Sequence, residues 1–121
     1  MGAEVAVHAH QAAGTLHLSH FADVILAKLE LEVGSWVIIG RAVLYNSDGD
    51  PQYLTARLIH DANVVIDNVS LYSKRETRHC LAVQATLKSR RRETVVLACN
   101  TYDGNAEFGS LIAFKVDDVI P

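Results

Sequence analysis

The chain has 121 residues, half of them apolar and 21% charged, with two prolines and seven glycines. That length leaves room for one domain, residues 1–121, and the composition excludes a disordered, collagen-like or low-complexity chain. A net charge of −3 excludes a generally basic nucleic-acid binder, and the longest wholly apolar central run, Trp36 to Ile39 followed by Gly40, is far too short to cross a membrane as a helix.

The opening Met-Gly-Ala-Glu-Val-Ala-Val-His has no basic segment leading into an apolar block, so no secretory signal peptide is expected. Ala6 stands where a myristoylation pattern needs Ser or Thr. A soluble protein without nucleic-acid or membrane partners follows as the expectation, and its compartment is left open. Strand candidates then run in chain order from Val5 to His10 and from Thr15 to Ser19. Between Val24 and Val33, apolar Ile25, Leu29, Leu31 and Val33 alternate with Lys28, Glu30 and Glu32, which is the two-residue repeat of a half-buried strand. The next strand, Trp36 to Tyr45, is rich in β-branched and aromatic residues and ends in the turn chemistry of Asn46-Ser-Asp-Gly-Asp-Pro51. Tyr53 to His60, Val64 to Leu71, Cys80 to Leu87, Thr94 to Asn100 and Leu111 to Val116 complete the series. No segment carries a convincing helical stripe. The pattern predicts an all-β protein, an antiparallel jelly-roll β-sandwich rather than alternating strands and helices.

Trp36 to Tyr45 is apolar on both faces: Trp36, Ile38, Ala42 and Leu44 on one, Val37, Ile39, Val43 and Tyr45 on the other. Leu111 to Val116 behaves similarly, with Leu111 and Ala113 opposite Ile112, Phe114 and Val116. One face fills a core, but the second needs a cover, because an antiparallel sheet facing water normally alternates apolar with polar residues. A second subunit is the economical cover in so small a chain, the competing one being a loop of the same chain. Trp36, Ile38, Tyr45, Ile112 and Phe114 are the expected interface residues.

A short first strand, the segment Gly34-Ser-Trp-Val-Ile-Ile-Gly-Arg-Ala-Val-Leu-Tyr-Asn46, several ladder strands and a closing Phe108-Gly-Ser-Leu-Ile-Ala-Phe-Lys-Val116 resemble the tumour necrosis factor-like jelly roll, whose fold complement globular heads share. The resemblance spans most of the chain and rests on strand order rather than on a short motif. It implies a ten-strand jelly roll that assembles as a homotrimer, with apolar strand faces around a three-fold axis. Members of this superfamily are mostly binding modules, so the resemblance implies a non-catalytic binding or structural module rather than an enzyme. The chain has fewer aromatic residues than the usual trimer core of the secreted members.

Three residue groups could carry chemistry. His8 and His10 are two apart on a strand and share a face, a spacing that suits one zinc, nickel or copper ion. With Gly2 upstream they match the first part of the metal signature of cupins, and a cupin-like metal-dependent enzyme is the alternative function. The glutamate that signature requires is replaced by Gly14 or Thr15, and the competing reading is a solvated edge strand. No cofactor is otherwise expected, so a transition metal is the one candidate. The second group is Lys88, Arg90, Arg91 and Arg92, expected at a hairpin tip, where their donors suit a glycan sulfate or another polyanion. Lys74, Arg75 and Arg78 would extend it; the competing reading is a charged turn that limits edge-to-edge aggregation. Third, Asp48, Asp50 and Asp103 lie in turn-like segments without the spacing of a helical-pair calcium loop. The same hairpin would set Cys80 opposite Cys99, as two thiols rather than a strained cross-strand disulfide.

Overall fold

The computed structural model describes residues 7–11, 15–61 and 64–117. Among these, every regular element is a strand: β1 (Val7–Gln11), β2 (Leu16–Ser19), β3 (Val24–Leu31), β4 (Gly34–Asn46), β5 (Gln52–His60), β6 (Val64–Ser73), β7 (Arg78–Ser89), β8 (Glu93–Asn100) and β9 (Asp103–Val116). They form two antiparallel sheets. In the first the order is β1, β9, β4, β7, with β2 also pairing β9; in the second it is β3, β8, β5, β6. This is the jelly-roll sandwich that the strand pattern predicts. The main difference in extent is β9, which starts at Asp103 rather than near Leu111 because Gly104, Ala106 and Gly109 keep it thin enough to pack inward without apolar bulk.

Alternation explains the core. From β4, Trp36, Ile38, Ala42 and Leu44 point between the sheets, all 1% exposed or less. They meet Leu54, Ala56 and Leu58 of β5 and Val95, Leu97 and Cys99 of β8 in one cluster. Gly40 lies between them, where an added Cβ would sit 3.0 Å from Val83 and 3.2 Å from Leu97. Strand β8 is central in its sheet, and Val95 to Asn100 are buried on both faces.

Two irregularities break the simple repeat. In β3 the register shifts between Ile25 and Ala27, so Leu26 is an extra residue. Leu26 and Ala27 are both buried, while Ile25 is 57% exposed, against the expectation of strict alternation through Val33. In β9 the register with β4 jumps from Phe108 to Ala106, which makes Glu107 the extra residue. A third departure concerns β7 and β8. They do not form the expected hairpin, because β7 pairs with β4 in the first sheet and β8 pairs with β3 and β5 in the second. Each takes the neighbour that its apolar faces require, and residues 90–92 cross from one sheet to the other.

The end of the sandwich beside the β4–β5 loop is tied by Asn46, which is fully buried. Its Nδ2 donates to the carbonyls of Asp50 (3.1 Å), Ser73 (3.3 Å) and Lys74 (3.1 Å), and its Oδ1 accepts from the Asp48 N–H (2.9 Å) and from Gln52 Nε2. One side chain thus joins the β4–β5 loop to the β6–β7 loop. Asn46→Ala is expected to leave several of these groups unpaired and to lower stability by about 2 to 3 kcal/mol, measured as a fall in the urea midpoint with an unchanged slope.

Candidate functional site

Outward-facing residues of β4 and β9 form an apolar band. The ladder sets Val37 beside Phe114, Ile39 beside Ile112 and Val43 beside Phe108, with Tyr45 at the end of the row and one polar pair, Arg41 beside Ser110, between the Ile39 and Val43 pairs. Ile39 is 41% exposed, and Val37, Val43, Tyr45, Phe108, Ile112 and Phe114 are half-buried. Cations sit over two of the rings: the Arg41 guanidinium lies 5.5 Å from the Phe108 centroid and that of Arg78 lies 5.1 Å from Tyr45. The bulge at Glu107 turns its carboxylate toward Arg78, which binds it through Nε and, at 3.1 Å, through Nη2. Hydrogen bonding to Arg78 holds the Glu107 carboxyl below the usual range, and the same bond raises Arg78. A depressed carboxylate stabilises the fold above its unfolded pKa, and that contribution is lost as pH falls through the folded value; at this exposed pair it is screened and small.

The expected interface residues therefore divide. Tyr45, Ile112 and Phe114 lie on this outer band. Trp36 and Ile38 do not: at 1% and 0% exposure they fill the sandwich core, since their positions along β4 have the opposite parity from Tyr45. No second subunit can reach them.

The basic cluster is also divided. Lys88 and Arg90 line a groove of about 710 Å³ together with Val33, Ser35, Lys115 and Asp117. Arg91 turns away and pairs with Asp61 (3.3 Å) and, at 4.0 Å, with Glu93; Arg92 pairs with Glu30 at 2.8 Å. Sequence spacing showed four neighbouring cations, but acids from β3 and from the turn after β5 take two of them. Lys115 is the cation that spacing missed, being brought in by β9. Lys74 and Arg75 lie in the β6–β7 turn and Arg78 on β7, paired with Glu107.

A second cluster was not anticipated. His60 at the end of β5, Asp61 in the following turn and Glu93 at the start of β8 bring one ligand atom each within 4.8 Å of one another. The available signal was the His60-Asp61 pair at a strand end, but Glu93 joins them only through β5–β8 pairing. His8 and His10 lie on β1 opposite Ala113 and Leu111 of β9, while their side chains, like Gly2 and Gly14, lie outside the described residues. Among the described residues, Asp48, Asp50 and Asp103 form no metal-type cluster.

Cys80 pairs with Val43 in the first sheet and is exposed, whereas Cys99 pairs with Val24 and Ala56 in the second and is buried. The cross-strand juxtaposition is thus corrected, because the hairpin it required is absent; both cysteines are free thiols. Burial pushes the Cys99 thiol up to about 12, with a smaller contribution from Asp23. Iodoacetamide at mildly alkaline pH is accordingly expected to modify Cys80 alone in the native protein and both residues in denaturant, as read by peptide mass mapping.

No known family profile matches the chain, and no curated protein matches it. Among solved structures it is similar to Eiger, a tumour necrosis factor from S. frugiperda, with a TM-score of 0.69 and 12% identity over 100% of this chain and 97% of that one. It is also similar to the globular domain of the zebrafish complement 1qA protein, with a TM-score of 0.61 and 10% identity over 93% and 97% of the two chains. Infectious bursal disease virus, Gx strain, supplies a third likeness with a TM-score of 0.67 and 10% identity over 99% of this chain. This chain spans only 35% of that viral chain. The fold is the jelly roll of tumour necrosis factor and the complement globular head, as the sequence resemblance implied.

Proposed function

We propose that this tumour necrosis factor-like jelly roll is a non-catalytic binding or structural module that works as a homotrimer, closed by the outer face of its first sheet. The observation that carries this reading is the apolar band of Val37, Ile39, Val43, Tyr45, Phe108, Ile112 and Phe114 on two adjacent central strands. In water such a face loses the hydrophobic stabilisation that burial would supply, about 25 cal/mol per Å². The trimeric assembly implied by the jelly-roll resemblance covers a sheet face of this kind with copies of the same chain. Arg41, opposite Ser110, crosses the band between Ile39 and Val43 with its guanidinium over Phe108, and Arg78 borders the Tyr45 end with charge.

Sedimentation velocity of the wild-type chain is expected to give three copies per particle. Ile39→Asp and Ile112→Asp, each placing a carboxylate in the centre of the band, are expected to give folded monomers with an unchanged β-sheet circular dichroism spectrum. A wild-type chain that sediments as a monomer at all concentrations contradicts the reading.

The groove lined by Lys88, Arg90 and Lys115 favours a second, compatible role as the ligand-binding surface for a sulfated glycan or other polyanion. On a heparin column, Arg90→Glu and Lys115→Glu are expected to lower the salt needed for elution. Arg92→Glu, which removes a guanidinium already paired with Glu30, is expected to change it little. Equal effects from all three substitutions would reject the groove as the binding surface.

A further inference from the structure

We propose that His60, Asp61 and Glu93 form a binding site for a divalent first-row transition metal ion, one per chain. The argument begins at His60 Nε2, a buried atom without a hydrogen-bond partner. Glu93 Oε2 lies only 2.7 Å from it, but off the line on which the ring nitrogen would donate. Two ligand atoms sharing one ion stand side by side in this manner. With metal–nitrogen and metal–oxygen bonds of about 2.1 Å, neighbouring ligands are about 3 Å apart at a right angle and about 3.4 Å apart at the tetrahedral angle usual for zinc. Asp61 Oδ2, at 3.5 Å from the same nitrogen, supplies the third donor.

The surroundings hold these donors in place. The Asp61 N–H donates to the Thr94 carbonyl at 2.9 Å, and the Thr94 N–H donates to Asp61 Oδ1 at 3.4 Å, which leaves Oδ2 directed toward the histidine. Ser89 Oγ lies 2.8 Å from Glu93 Oε2. Such outer hydrogen bonds orient ligating groups. Asp61 also lines a groove of about 610 Å³ on the outer face of the second sheet, with Ile25, Ile59, Thr94 and Val96. One imidazole and two carboxylates suit zinc, nickel or cobalt better than a soft-metal site built from thiolates. Arg91 is the competing cation, since its Nη2 lies 3.3 Å from the same Asp61 Oδ2 and its Nε 4.0 Å from Glu93 Oε1. A bound ion would displace it and would clip the turn after β5 to the start of β8.

The test is calorimetric titration of zinc into the full, chelator-treated chain, repeated on variants. One ion per chain is expected, with affinity reduced at least about ten- to a hundredfold in His60→Gln and in Asp61→Asn, since loss of even an outer hydrogen-bond partner of a ligand costs that much. Arg91→Ala is expected to tighten binding severalfold, and the pair His8→Ala with His10→Ala to leave this site intact. If a variant fails to fold, manganese titrated into the wild-type chain is expected to broaden the His60 ring resonances before those of His17, His20 and His79. Absence of zinc binding, unchanged binding in His60→Gln, loss only on removal of His8 and His10, or no selective broadening at His60 would overturn the proposal.

Discussion

Strand β4 is apolar on both faces and lies inside its sheet between β9 and β7, and the rest of the molecule is arranged around that constraint. Its inward residues require a second sheet, which β8 supplies with a strand buried on both sides. Its outward residues extend onto β9 in register and leave an apolar band that no element among the described residues covers. The chain buries both faces of β8 but only the inner face of β4, and the proposed assembly would cover the other.

Polar groups settle what apolar burial leaves undetermined. Asn46 satisfies carbonyls of two loops at one end of the sandwich, and thereby fixes where β4 stops and β5 begins. The bulges act in the same direction. Leu26 packs against Gly109, where an added Cβ would approach the Leu26 Cβ to 2.8 Å, so the extra residue of β3 is matched by a position on β9 with no side chain. Glu107, the extra residue of β9, reaches Arg78 across β4 and places a salt bridge at the border of the apolar band.

Much of this was legible before any coordinates. The strands, the approximate bounds of all but β9, the two-faced character of β4 and the turn at Asn46 follow from local alternation and turn chemistry, because those signals act over a few residues. The parity of Trp36 and Ile38 against Tyr45 was also legible, and the structure shows which parity points inward. Long-range pairing was not. Nothing local tells β7 from β8 as partners in a hairpin, and their separation into different sheets depends on what β4 and β5 require. The division of the basic cluster follows from Glu30 and Asp61, which reach it from elsewhere in the fold. The His60, Asp61 and Glu93 cluster is likewise a product of register, with its third member distant in sequence.

The central claim is that the outer face of the first sheet is covered in solution. Hydroxyl-radical footprinting read by mass spectrometry tests it most directly, with Tyr53, Tyr72 and Tyr102, respectively 55%, 60% and 48% exposed, as internal standards. Oxidation of Tyr45, Phe108 and Phe114 well below those tyrosines, rising when the sample is diluted, is the result the account predicts. Oxidation of Phe108 and Phe114 at a rate set by their exposure in a single chain, unchanged by concentration, would contradict it.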